Sequence, residues 1–125
     1  MFGDGIYFAD AITKAANYCT FNVESDRGFI LLCEVALGRC EPKVFADYHA
    51  HLQLDGYDSI KGVGRFAPKT KLMIEDGGTI IAEAYCLPEL EGLHVPLPLN
   101  HNEFVIFDKK QVRPLYLVEV ELFNN

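Results

Sequence analysis

Gly5-Ile6-Tyr7-Phe8-Ala9-Asp10-Ala11-Ile12-Thr13-Lys14-Ala15-Ala16-Asn17-Tyr18-Cys19 changes its hydrophobic period partway along. Gly5 to Ala9 is a short run rich in β-formers, which predicts a strand. Asp10 is a good N-cap for a helix beginning there. Ile12, Ala15, Ala16 and Cys19 then fall at i, i+3, i+4 and i+7, one face of a short helix ending near Phe21, with Lys14 and Asn17 off the stripe. Next, Gly28 opens Phe29-Ile30-Leu31-Leu32-Cys33-Glu34-Val35-Ala36-Leu37, a nearly continuous apolar run closed by Gly38. Its length and composition predict a central strand buried on both faces.

From Arg39 to about Asn100, repeated Gly and Pro break every run, which predicts long loops carrying short strands. Thr70–Glu75 and Thr79–Tyr85 read as strands joined by a hairpin-like Asp76-Gly77-Gly78 turn. Asn102 to Asp108 reads as a strand with Phe104 and Ile106 on one side and Glu103, Val105 and Phe107 on the other. The last strand, Leu115 to Phe123, sets Tyr116, Val118, Val120 and Leu122 against Leu115, Leu117, Glu119 and Glu121. Pro114 marks its start or a bulge. One helix and five or six strands predict a β-dominated α+β domain.

The chain has 125 residues, half of them hydrophobic, and its length first reads as one domain with its own core. Eleven Lys and Arg against eighteen Asp and Glu give a net charge of −7. That balance argues against a broad nucleic-acid surface and against an anionic membrane surface. No stretch approaches the ~20 apolar residues of a membrane span. Cys19, Cys33, Cys40 and Cys86 form no C-x-x-C pair and follow no signal-like leader, which predicts reduced thiols inside a cell.

Glu103 opens a strand otherwise made of aromatic and branched residues. A carboxylate there is either a solvated strand-end group or a stabiliser of developing positive charge, as glycosyl transfer requires. Tyr7 and Tyr18, brought together by a strand–helix turn, are either core residues or two faces of a slot for a flat heterocycle. His49 and His51 near Asp47 and Asp55 match no zinc-type spacing and read as exposed loop histidines. Gly62-Val63-Gly64 lacks the strand, helix and third glycine of a phosphate loop and reads as a turn. No cysteine is set in a recognisable activating context.

Read together, these pieces resemble the poly(ADP-ribose) polymerase catalytic domain. Gly3 to Asp10 with Lys14-Ala15-Ala16-Asn17-Tyr18-Cys19 resembles the family's G-x-G-I-Y-F-A-D…K-S-A-N-Y-C segment. Leu31 to Gly38 resembles L-L-x-E-V-A-L-G, Asp58 to Gly64 resembles H/D-S-V-K-G-x-G, and Asn102 to Asp108 resembles N-E-Y-x-V-Y-D. Gln111-Val112-Arg113 through Phe123 resembles the closing strand. The resemblance implies a mainly antiparallel ADP-ribosyltransferase-like fold that takes NAD+ as substrate, without a metal, and moves ADP-ribose to protein acceptors.

By position, the resemblance makes Tyr7 the tyrosine of the His-Tyr-Glu triad, stacking on nicotinamide, with Tyr18 against the other face. Glu103 becomes the catalytic glutamate, holding ribose hydroxyls and supporting an oxocarbenium-like transition state. Gly5, Phe8 and Ala9 line the nicotinamide pocket, and Lys14 lies near the acceptor side. Retention of Glu at that triad position permits polymer formation. Two departures accompany the match. Ala15 stands where the family usually has a serine that bonds the carboxamide, a contact worth about 0.5–1.5 kcal/mol. The family's His-Gly strand precedes the point where this chain begins, so residues 1–125 read as the C-terminal part of the domain, with the N-terminal portion missing and a surface that packs against it. A non-catalytic remnant or interaction module, and a binder of ADP-ribose without transfer, are the competing readings. Nuclear placement follows from the resemblance alone.

Overall fold

The computed structural model describes residues 1–20, 24, 26–68, 71–73, 79–81, 84–86 and 96–121. In chain order the elements are β1 (Ile6–Phe8), α1 (Ile12–Ala16), β2 (Arg27–Val35), β3 (Cys40–Lys43), β4 (Ser59–Gly62), β5 (Phe66–Pro68), β6 (Lys71–Met73), β7 (Thr79–Ile81), β8 (Ala84–Cys86), β9 (Glu103–Ile106) and β10 (Val112–Glu121). Single 3-10 turns lie at Ala50–Leu52 and Lys109–Gln111. The fold is α+β and mainly antiparallel, as the sequence predicts.

A four-stranded sheet in the order β1-β9-β4-β3 organises the molecule. Only β3 and β4 run parallel; β9 is antiparallel to both of its neighbours. Tyr7 pairs with Val105, and Val105 pairs with Ile60, so these three form one row across the sheet. Side chains alternate along each strand, so that row and the row through Glu103 and Gly62 share a face. The core lies on this face. Phe2, Ala50, Ile60 and Val105 are buried together, with Met1, Leu54, Leu99 and Phe107 packed around them.

Several expectations need correction. The first helix stops at Ala16 rather than near Phe21, and its N-cap position is Ala11, which supplies no side-chain bond. A helix of five residues without a cap has little stability of its own and depends on tertiary contacts. The β2 strand is not buried on both faces. Among the described residues it pairs only with β10, in a separate two-stranded ribbon, and Phe29, Leu31, Tyr116 and Leu117 are exposed on it. An apolar run alone does not say whether a second layer covers the strand. Thr79–Tyr85 is not one strand: β7 pairs with β6, and the next strand, β8, pairs with β5. Residues 74–78, which include the expected turn, lie outside the described residues.

The closing strand begins at Val112, and its register shifts between Pro114 and Tyr116, which settles Pro114 at a bulge. Just before it, Asp108 caps the 3-10 turn through Oδ1, which accepts from Lys110 N at 2.9 Å. Gln111 Nε2 donates to the Ala36 and Asp58 carbonyls at 3.0 and 3.1 Å, tying the end of β2 and the start of β4 to β10.

Gly62-Val63-Gly64 is more than a turn. Gly62 closes β4 opposite Glu103, and a Cβ there would overlap the Phe2 ring. At Gly64 a Cβ would overlap the backbone of His101 and Asn102. Gly64→Ala is therefore expected to cost about 1–3 kcal/mol through forced overpacking against backbone, read as a lowered urea midpoint with an unchanged slope.

Cys19, Cys33 and Cys40 are free thiols. Burial pushes the Cys33 thiol up. Away from the core, Lys43 Nζ lies 3.0 Å from Asp47 Oδ2, and this hydrogen bond holds the Asp47 carboxyl below its usual value. The contact therefore stabilises the fold above the ordinary carboxylate range and is lost as pH falls through the depressed value.

Candidate active site

The sheet register brings the chemistry of β1, α1 and β9 to one place. Glu103 begins β9 and is only 8% exposed, unusual for an unligated carboxylate. Its Oε1 lies 3.4 Å from Lys14 Nζ, and both side chains are nearly buried. The same ammonium donates to the His101 carbonyl at 3.3 Å. Lys14 thus reaches from α1 onto the start of β9 and satisfies two acceptors there. This reverses the amphipathic reading of the helix: Ile12, on the predicted apolar stripe, is 63% exposed, while Lys14 turns inward.

Tyr7 shares the sheet face of Glu103, one pleat along from it. Its hydroxyl donates to the Gly3 carbonyl at 2.6 Å and accepts from Phe2 N at 3.1 Å. Those bonds fold the first residues back and seat Phe2 in the core, while Tyr7 as a residue stays 37% exposed. Phe8 is half-buried on the opposite face, paired across the ladder with Phe104. Lys61 Nζ stands 5.9 Å from the centre of the Phe104 ring. Gly5 passes close to Val105 and Phe107, where a side chain would not fit. Ala9 and Ala15 are half-buried, and a methyl at position 15 offers no hydrogen bond.

Tyr18 follows the helix and is 80% exposed. Among the described residues no ring contact joins it to Tyr7. His51 lies apart from Glu103 in its bonding, accepting at Nδ1 from Asp4 N at 3.4 Å. Among the described residues, no group of three or more His, Cys, Asp or Glu could hold a metal ion. No helix among them is long and apolar enough to cross a membrane.

Sequence reasoning missed two polar residues at this site. Asp10, read as a helix cap, instead accepts at Oδ2 from Asn102 Nδ2 at 2.8 Å. Asn102, read only as the first residue of a strand, is 2% exposed and accepts at Oδ1 from Gly64 N at 3.0 Å. The available signal was the Asn102-Glu103 pair itself: two polar residues opening an otherwise apolar strand.

A family model described as the poly(ADP-ribose) polymerase catalytic domain matches residues 1–122. The chain belongs to that family. Poly(ADP-ribose) polymerase 2 of Homo sapiens is 38% identical over 126 residues, covering 99% of this chain and 21% of the relative. Its namesake in Arabidopsis thaliana is 37% identical, again over 99% of this chain and 19% of the relative. Poly(ADP-ribose) polymerase 1 of Danio rerio is 36% identical, with 99% and 12% covered. The chain therefore spans about a fifth or less of the length of these relatives. Within the polymerase-family match lie β1, α1 and β9 complete, and with them the Tyr7, Lys14 and Glu103 geometry.

Proposed function

We propose that the chain supplies the transfer side of an NAD+ ADP-ribosyltransferase, which moves ADP-ribose from NAD+ to a protein acceptor and releases nicotinamide. The buried Glu103 carboxylate, held 3.4 Å from Lys14 on the sheet face that also carries Tyr7, is the observation that carries this reading. In the reaction the bond between ribose C1′ and the nicotinamide nitrogen breaks, and its electron pair leaves with neutral nicotinamide. An acceptor oxygen then gives a pair to C1′; where that acceptor is a hydroxyl, its proton is released as the bond forms.

Positive charge develops on the ribose in between. A carboxylate fixed in a largely dry site stabilises that charge better than water can, because it needs no reorganisation. Glu103 is suited to that role and to accepting hydrogen bonds from the ribose hydroxyls. The partly exposed Tyr7 ring offers a stacking face for nicotinamide, and Tyr18, exposed after α1, offers a second. Gly5 and Ala9 line the pocket in this reading, Phe8 borders it through its backbone while its ring lies on the other face of β1, Ala15 contributes shape without a bond to the carboxamide, and Lys14 faces the acceptor. Glu at position 103 also leaves chain elongation permitted. A nuclear setting is part of the same proposal and rests on family resemblance.

A second reading, an interaction module without turnover, draws support from the exposed apolar residues Phe29, Leu31 and Leu117 on the β2–β10 ribbon. Incubation with NAD+ labelled in its adenylate phosphate separates the two. Covalent label on protein, together with free nicotinamide, is the expected result; no label and no nicotinamide would leave the interaction module standing.

A further inference from the structure

Three segments distant in sequence meet at one buried amide. Asn102 donates to Asp10 and accepts from the Gly64 N–H, so both ends of its side chain are used. Gly64 lies so close to His101 and Asn102 that nothing larger than hydrogen fits between them. Asp10 stands at the junction between β1, which carries Tyr7, and α1, which carries Lys14. Asn102 directly precedes Glu103. The two hydrogen bonds therefore tie the β1–α1 junction and the exit of β4 to the first residue of β9.

Local structure is given up for this arrangement. Asp10 is the residue best suited to cap α1, yet the cap position falls to Ala11 with no side-chain bond. One Asp10 oxygen is committed to Asn102, and the other, Oδ1, is buried without a hydrogen-bond partner among the described residues. A five-residue uncapped helix cannot hold a lysine in place by itself. A local rule broken with no local gain is the mark of a functional constraint.

We propose that Asp10 and Asn102 form a positioning clamp that sets the separation of Lys14 from Glu103 and so aims the Glu103 carboxylate. Its effect on transfer rests on the functional reading above; its effect on the Lys14–Glu103 pair does not. Neither residue touches the reacting atoms. Both act through the ion pair.

The test uses the whole 125-residue chain and two readouts: the nuclear Overhauser contact between the Lys14 ε-methylene and Glu103 γ-methylene protons, and steady-state nicotinamide release from NAD+. Asn102→Ala is expected to abolish the Overhauser contact and to lower kcat about tenfold while KM stays within about twofold, the pattern of an interaction that matters only in the transition state. The exchange variant D10N/N102D reverses donor and acceptor in the bond between positions 10 and 102 and leaves Gly64 N–H donating to a position-102 oxygen as before, and is expected to restore the contact and most of kcat.

If Asn102→Ala loses the folded spectrum, Asp10→Ala is compared with the exchange variant in its place. A contact that survives Asn102→Ala or Asp10→Ala overturns the clamp, as does an exchange variant that folds but recovers neither readout. Loss of the contact in a chain whose unaltered form never releases nicotinamide upholds the clamp and removes the functional reading.

Discussion

Glu103→Gln is expected to lower nicotinamide release from NAD+ about 10²- to 10³-fold, the loss typical when one preorganised group is withdrawn from a developing charge. Gln keeps the length and shape of the side chain, so the β9–β4 pairing opposite Gly62 has no steric reason to change. What disappears is the negative charge, in a position only 8% exposed, where it acts with less screening than at the surface. Because Glu103→Gln also leaves the Lys14 ammonium unpaired, the melting temperature falls in either case; a merely structural Glu103 would leave the turnover per folded molecule unchanged. Measuring kcat beside the thermal midpoint separates the two.

Lys14→Met carries the second large effect, on stability. The Lys14 and Glu103 side chains are 12% and 10% exposed, so removing the ammonium leaves a carboxylate with neither water nor its cation. Breaking a buried pair from one side costs about 3–5 kcal/mol, a large share of the roughly 5–15 kcal/mol that holds a domain of this kind together. The His101 carbonyl loses its donor as well. Removing both charges, in Lys14→Met with Glu103→Leu, is expected to recover most of that loss, because an apolar pair of similar volume has no desolvation penalty. Urea denaturation of the two variants beside the unaltered chain reads the difference; equal destabilisation in both would mean that the charge pairing contributes nothing.

How far the sequence reveals the site differs from residue to residue. Glu103 and Tyr7 are visible because each sits in a strand whose alternation fixes its face, and the ladder then aligns Tyr7 with Val105. Periodicity assigns Lys14 to the correct helix but the wrong side of it, since it counts hydropathy and cannot see a buried carboxylate waiting on another strand. Asp10 has the chemistry of a cap, and only tertiary structure shows that Asn102 claims it first. The β2 run reads as central because apolar content does not reveal how many neighbours a strand has; among the described residues its single partner is β10. Periodicity overestimates the length of α1, where a stripe continuing to Cys19 meets a chain that turns after Ala16. Cys19 ends instead beside β2, its thiol donating to the Phe29 carbonyl at 3.3 Å.

The most direct test of the central claim, that NAD+ engages the face built by β1, α1 and β9, is a ¹⁵N–¹H titration of the chain with NAD+. Shifts that saturate together at Gly5 to Ala9, at Lys14 and Ala15, and at Asn102 to Phe104 are the result expected here. Shifts absent from those residues, or confined to the open groove between Leu54, Tyr57 and Phe107 at the other end of β9, would contradict it.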